Sequence, residues 1–274
     1  MKEVLGNFYF EDHQLKSVEH FNDVFLSTGI NVYEVLRQSH GIPIFLEQHI
    51  VRLNNSARGK SLCGDFNLTE IKNEIAVLAE KNNFPESNIK IVYHSGDSGD
   101  CSIYIYPVDF FYPSEKDYRE GVRLISLIET RPDPNLKNWR PAFREKIRKL
   151  KAREKVFEIL LINESGLVTE GSQSNLFFIR DNRLYTAQRK NVLPGITREY
   201  VLRIAAGLHT EVYEMDFRLE DLFQAECIFI TGTSPKILPV SSVNERTFNP
   251  DHPILRQLVN EYDLLIRNYL KLNA

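Results

Sequence analysis

Two loops of this 274-residue chain have the composition of anion holders. In Leu193-Pro194-Gly195-Ile196-Thr197-Arg198 a Pro-Gly turn leads straight into a helix. The N–H groups of Ile196 and Thr197 then point outward at the positive end of the helix dipole, which suits a phosphate. In Ile230-Thr231-Gly232-Thr233-Ser234 a strand runs into a glycine flanked by hydroxyls. The glycine admits a close backbone approach, and the hydroxyls and N–H groups can ring an anion. Taken singly, each loop also reads as a helix cap or an ordinary hydroxyl-rich turn. Arg52, one turn along a helix from His49, adds a full positive charge.

A third segment, Gly166-Leu167-Val168-Thr169-Glu170-Gly171-Ser172-Gln173-Ser174-Asn175, joins two apolar strands yet carries a carboxylate and several hydroxyl and amide side chains. It is either a well-satisfied turn or the floor of a site. In the second case Glu170 is a buried acidic partner for a protonated ring nitrogen. The fourth feature is Lys137, two residues after Pro132-Asp133-Pro134-Asn135 and apart from the basic run further on. A lysine near a phosphate site and a buried carboxylate can form a Schiff base with a carbonyl cofactor once its pKa is lowered. A solvated surface lysine is the alternative.

The elements that must position these residues alternate in type. Residues 31–37 and 42–45 read as strands around a turn at 39–41. Leu46, Ile50 and Leu53 mark one face of a helix, and 69–80 gives another with Thr69 as its cap. Residues 89–93 and 102–107 are strands. The second part holds a strand at 121–127, a helix carrying Phe143, Ile147 and Leu150, strands at 158–162, 175–179 and 227–230, and helices at 196–206 and 251–272. Strands and helices are interspersed without a steady βαβ period, so the fold class is α+β, or mixed α/β, rather than doubly wound. A boundary in the linker 110–117 gives an N-terminal α/β domain over 1–112 and a C-terminal domain over 118–274, two domains being the natural count for this length.

Composition excludes other classes. Apolar residues make up 42% and charged residues 26%, as in globular proteins rather than collagen-like or disordered ones. With 34 basic and 37 acidic side chains the net charge is −3, which favours neither nucleic acid nor an anionic membrane. The run Arg144 to Lys155 holds seven basic and two acidic residues, but its apolar members recur at helical spacing, so it reads as a solvated helix face. Three scattered cysteines, Cys63, Cys101 and Cys227, fit neither a disulfide framework nor a zinc site, and no metal is expected. Acidic residues come before any long apolar run at the start, so no signal peptide is expected, and no apolar run reaches the ~18 residues of a membrane span; a cytoplasmic protein is expected.

Together these segments resemble the class IV, or fold-type IV, pyridoxal-phosphate enzymes, a family of branched-chain aminotransferases, D-amino-acid transaminases and aminodeoxychorismate lyases. Val32-Tyr33-Glu34-Val35-Leu36-Arg37 is similar to the family's early strand and His49-Ile50-Val51-Arg52-Leu53 to its HxxRL helix. Val168 to Phe177 is similar to its most diagnostic segment, and Leu193 to Arg198 and then Thr231-Gly232-Thr233, the latter followed by Pro239-Val240, complete the set in the family's order. Five weak signals in order make a strong one. The resemblance implies a two-domain fold with the active site between the domains, a C-terminal domain that binds pyridoxal 5'-phosphate, and a homodimer.

It also implies roles. Arg52, Ile196, Thr197 and Thr233 hold the cofactor phosphate. Glu170 pairs with the pyridine nitrogen and sustains the ring as an electron sink. Lys137, 33 residues before Glu170, forms the Schiff base and then moves the proton between substrate and cofactor. Tyr33 occupies a place where the family puts an aromatic at the substrate, and Ser234, before Pro235 which has no N–H, is a donor to a substrate carboxylate. The reaction implied is amino transfer between an amino acid and a 2-oxo acid, with lyase-type elimination on the same lysine as the alternative. A binding protein that kept the fold alone has little reason to keep both Lys137 and Glu170.

The chain departs from the pattern in places. Arg140 and Ala142 stand where relatives carry Asn or Tyr after the lysine, and Glu34-Val35 stands where the lyases tend to have Thr. Tyr93-His94-Ser95-Gly96-Asp97 has no arginine for a substrate carboxylate; His94 is the candidate substitute.

Overall fold

Ten residues from Ile30 to Ser39 form a long strand because their pattern serves two faces at once. Val32, Glu34 and Leu36 point to one side, and Asn31, Tyr33 and Val35 to the other. The computed structural model in which this is seen describes residues 3–62, 64, 66–97 and 99–274; Cys63 lies outside the described residues. The chain falls into two compact units, the first holding the chain up to Phe111 with Leu136–Pro141 and Ile266–Ala274, the second Tyr112–Asn135 with Ala142–Leu265. Both mix helix and strand, so the fold is α+β.

The first unit has strands β1 (Phe8–Glu11), β2 (Gln14–Ser17), β3 (Ile30–Ser39), β4 (Ile42–Pro43), β5 (Glu86–Ser95) and β6 (Cys101–Val108) and helices α1 (Leu46–Gly59) and α2 (Leu68–Lys81). Its sheet is antiparallel in the order β2-β1-β6-β5-β3-β4. Leu46, Ile50, Leu53 and Ala57 of α1 and Ile71, Ile75 and Leu78 of α2 bury their stripes against Val32, Leu36, Ile89, Ile91 and Ile105. The opposite face carries a second core of Tyr9, Phe21, Phe25, Val92 and Tyr106, packed by Tyr33 and Trp139. Apolar cover on both sides explains why β5 is buried along most of its length. Three details differ from the sequence expectation. The second strand stops at Pro43, because Phe45 takes a left-handed conformation (φ 57) that turns the chain into α1. The cap of α2 is Asn67, whose side chain accepts from the N–H groups of Thr69 and Glu70. The hairpin β1–β2 carries too little apolar pattern to stand out.

The second unit has α3 (Glu115–Glu120), β7 (Val122–Ile128), α4 (Pro141–Glu154), β8 (Glu158–Ile162), β9 (Val168–Gly171), β10 (Asn175–Arg180), β11 (Arg183–Thr186), α5 (Ile196–Gly207), β12 (Val212–Glu214), α6 (Leu219–Leu222), β13 (Cys227–Gly232), β14 (Lys236–Val243), β15 (Arg246–Thr247) and α7 (Pro253–Asn273). Its mixed sheet runs β12-β11-β10-β13-β14-β7-β8-β9, with β15 beside β14. Of α4 only Ile147 is fully buried, and Arg148 and Lys149 pair with Glu145 on its own surface, the geometry of a solvated helix face.

Two stretches that the sequence reading counts with the C-terminal domain group with the first unit. The backbone of residues 137–139 runs antiparallel to β3. On the last turns of α7, Tyr269 packs its ring 5.0 Å from that of Phe45 and donates to Glu47 at 2.9 Å.

Candidate active site

Pro132 and Pro134 keep the approach to Lys137 out of a helix, and Pro141 opens α4 behind it at a position where proline is tolerated. Between them the backbone is pinned at three points. Tyr33 N–H donates to the Lys137 carbonyl at 3.1 Å and Trp139 N–H to the Asn31 carbonyl at 3.0 Å. Lys137 N–H donates to the buried Ser56 hydroxyl on α1 at 3.0 Å. Leu136 fills the space beside Gly59, where a Cβ would stand 2.7 Å from a Leu136 methyl. The Lys137 ammonium lies 5.3 Å from the centre of the Tyr33 ring, which meets Trp139 edge-on at 5.2 Å.

On the helix side of the same strand, Glu34 is fully buried. The i, i+3 spacing puts His49 and Arg52 on one face of α1, and both turn to this carboxylate. Arg52 donates through Nε and Nη2 at 2.7 Å each, and His49 Nδ1 stands at 2.8 Å. Burial alone would raise the Glu34 carboxyl; the charges of Arg52 and Lys137 and the bonds from Arg52 and His49 override it and hold the group far below the usual carboxylate range. Burial, helped by the charges of Arg52 and Lys137 and opposed by Glu34, lowers His49 from its ordinary 6.5. The imidazole is therefore neutral and donates Nδ1–H to Glu34.

A pH dependence follows from His49. Below pH 6.5 the unfolded chain takes up a proton there that the folded chain declines until its lower value is passed. Stability is therefore present above 6.5 and falls as the pH drops below it. Denaturant unfolding of His49→Gln should fall less steeply than wild type on going below pH 6.5; an equal slope would contradict this.

His94 sits on the face of β5 that carries Val92 and Lys90. Its Nδ1 lies 3.1 Å from Asn31 Oδ1 and its ring meets Phe25 edge-on at 5.7 Å. Burial lowers its pKa against the opposing charge of Asp97, so the ring tends to the neutral form.

In the second unit Glu170 is the last residue but one of β9 and is buried. Its Oε1 accepts from Arg131 at 2.8 Å; Oε2 accepts from the Leu193 N–H at 2.9 Å and from Asn175 Nδ2 at 3.2 Å. Asn175 also donates to the Leu193 carbonyl at 3.0 Å. A Cβ at Gly195 would collide with Asn175 Oδ1, so only glycine lets the turn close on this amide. These contacts tie Glu170 to the start of α5, where Ile196 and Thr197 occupy the first two helical positions and Thr197 Oγ1 lies 3.2 Å from the Tyr262 hydroxyl. Asn175 pairs with Thr231 across the ladder, and Thr231 Oγ1 is buried with no hydrogen-bond partner among the described residues. Thr233 and Ser234 form the turn between β13 and β14.

Both readings of the segment 166–175 apply, to different residues. Ser172, Gln173 N–H and Ser174 all donate to Glu158, a buried carboxylate at the start of β8, so the serines satisfy a turn. Glu170 and Asn175 belong to the site group, and the segment contains a strand, β9, of its own. Sequence reasoning missed Glu158, Arg131 and the Glu34 centre. Glu158 had a signal, an acid opening the apolar strand Glu158-Ile159-Leu160-Leu161-Ile162. In the first unit Lys137 lies over Tyr33, the Glu34–Arg52 pair is on the helix side of the same strand, and His94 is bonded to Asn31 apart from them; the second unit brings together Glu170, Ile196 and Thr197, with Thr233 and Ser234 just beyond the strand that pairs Asn175.

Solved structures share this fold. The T.th. branched-chain amino acid aminotransferase with pyridoxamine 5'-phosphate superposes with a TM-score of 0.86 at 24% identity, over 97% of this chain and 96% of the other. The branched-chain amino acid aminotransferase of Thermobaculum terrenum in its PLP form gives 0.82 at 22% identity over 98% and 96%. A profile of the amino-transferase class IV family matches residues 31–243. The putative branched-chain-amino-acid aminotransferase of Methanocaldococcus jannaschii is 31% identical over 81% of each chain, and the D-alanine aminotransferase of Bacillus licheniformis 28% identical over 82% and 83%. The chain belongs to the class IV amino-transferase family and is an aminotransferase.

Proposed function

We propose that the chain is a pyridoxal 5'-phosphate-dependent aminotransferase that carries an amino group from an amino acid to a 2-oxo acid through Lys137. The observation that carries this reading is the fixed backbone of Lys137, with its ammonium over Tyr33 and the buried Glu34–Arg52 pair beside it. The residues present fit the cofactor. Glycine at 195 lets the turn before α5 close on Asn175, Thr231 offers a buried hydroxyl with no partner among the described residues, and Glu170 is a carboxylate held by guanidinium, amide and N–H donors. Pyridoxal phosphate supplies the electron sink when bound.

The chain's own groups do the rest. Lys137 would hold the cofactor's carbonyl carbon and, once released, would move the proton from the substrate Cα to the cofactor. Glu170 would pair with the ring nitrogen and keep it protonated, with Arg131 and Asn175 fixing the carboxylate. Ile196 and Thr197 N–H groups, Thr233 and Arg52 bind the phosphate, Arg52 being oriented by Glu34. Tyr33, Ser234 and His94 face the substrate. The substrates are small acids rather than nucleic acid, and a homodimer in the cytoplasm is the expected state; no helix among the described residues is long and apolar enough to cross a membrane.

Relatives named for D-alanine and for branched-chain amino acids make the donor an open chemical choice, and none of those named above is a lyase. Incubating the holoprotein with single L- or D-amino acids and a 2-oxo acid, then following both products, tests the reading. Amino transfer to the acceptor is expected from at least one donor. A 2-oxo product formed with ammonia and without an acceptor would instead make it an elimination enzyme.

A further inference from the structure

Away from the lysine and the phosphate loops, the first unit gathers a histidine and two carboxylates that the reaction just described does not use. The hairpin β1–β2 turns at Asp12-His13, both in the left-handed region (φ 48 and 63), where glycine is the usual second residue. Asp12 has a local reason to be there, since its carboxylate accepts from the Ile103 N–H and the Ser102 hydroxyl. His13 has a distant one. Its Nδ1 stands 2.9 Å from Glu74 Oε1 and 3.5 Å from Glu70 Oε2, on two side chains one turn apart along α2.

The charge in this cluster is unbalanced. Among the described residues no lysine or arginine pairs with Glu70 or Glu74, and a single imidazole faces both. Glu74 is 6% exposed, and its Oε2 is buried with no hydrogen-bond partner among the described residues. Folded chains rarely keep such an orphan. Burial raises the Glu74 carboxyl above its ordinary value and the charge of Glu70 adds to the rise, against the bond and charge of His13. The other side of the cluster is open, because the side chains of His13 and Glu70 are 41% and 44% exposed. An ion can enter there.

The spacing suits one. A ligand atom from each of the three side chains lies within 4.8 Å of the others. Ligands about 2.0–2.2 Å from a tetrahedral zinc ion stand about 3.3–3.6 Å from one another. Both distances from His13 are within a few tenths of an ångström of that range. The two carboxylates repel each other and are the pair that a cation draws together. We propose that His13, Glu70 and Glu74 bind a divalent transition-metal ion of the zinc type, which ties the β1–β2 hairpin to α2. The neutral imidazole gives the ion its Nδ1 lone pair and carries its proton on Nε2. The imidazole also sets the choice of ion, since magnesium and calcium prefer an all-oxygen shell. The clamp falls on the sheet edge, where β2 has β1 as its one neighbour and little apolar surface to hold it. Nothing in it depends on Lys137.

The test is titration of the holoprotein, cleared of metal by EDTA and buffer exchange, with zinc chloride alone, read by calorimetry and by thermal unfolding. Wild type should bind one ion per chain at this site, and zinc at a hundredfold excess over Kd should raise Tm by about 5 °C. His13→Asn tolerates the left-handed turn and should weaken binding at least about 100-fold, because even an outer partner of a ligand is worth about 10–100-fold. Glu74→Gln keeps the shape of the side chain, should weaken binding likewise, and stands in if His13→Asn does not fold. Amino transfer should be unchanged in both variants, and magnesium should leave the wild-type Tm where it was. Zinc bound equally by wild type and His13→Asn would place the ion elsewhere and overturn the proposal. Binding weaker than about 1 mM, or magnesium as effective as zinc, would overturn it too.

Discussion

Alanine at position 137 is expected to lower amino transfer by a factor of about 100 to 10,000 while leaving a folded protein. The two halves of this expectation come from different atoms. Chemistry depends on the ammonium, which lies 5.3 Å from the centre of the Tyr33 ring. The fold depends on the main chain at 137–139, whose bonds to Tyr33, Asn31 and Ser56 use backbone groups that alanine keeps. Steady-state rates with a responsive donor, together with a thermal unfolding scan, check both. A variant that unfolds would show that the side chain has a structural duty. One that retains near-wild-type transfer would remove Lys137 from the mechanism.

Glu34→Gln should destabilise the protein by about 3–5 kcal/mol near neutral pH. The carboxylate receives two bonds from a buried guanidinium and one from a buried imidazole. Glutamine keeps the shape but leaves the Arg52 charge uncompensated. The loss should also appear as weaker affinity for pyridoxal phosphate, because Glu34 orients Arg52. The carboxyl of Glu34 is lowered in the folded state, so its contribution is complete above its ordinary value of 4.5 and is lost as the pH falls below it. The gap between variant and wild type, measured by denaturant unfolding, should therefore be largest near neutrality and narrow in acid. A gap that does not change with pH would mean that charge is not what holds this centre together.

The sequence displayed the elements whose pattern is periodic and whose partners are near. β3, α1, β5 and α5 announce themselves through alternating or helical spacing and a Pro-Gly turn. β14 does not, because Pro239 interrupts it and its role is set by pairing with β13 and β7. The same distinction runs through the site. Glu170 and Lys137 stood out because each is chemically out of place in its surroundings. Arg131 did not, since only the folded chain brings it from 39 residues away onto Glu170. Glu34 was visible as a member of a familiar segment, but nothing in the spacing says that a strand residue takes both His49 and Arg52 from the following helix. Lys90 looked like one charge in a strand, and the rings of Tyr33, Tyr106 and Trp139 around its ammonium come from β3, β6 and the 137–139 segment.

The central claim is that one lysine, Lys137, carries the cofactor. Borohydride reduction of the protein loaded with pyridoxal phosphate fixes the attached group in place, and peptide mass analysis then reads which lysine bears it. The account predicts the reduced phosphopyridoxyl group on Lys137 and its absence from Lys137→Ala. The same group on Lys90, Lys146 or another lysine, or on none after saturating loading, would contradict it.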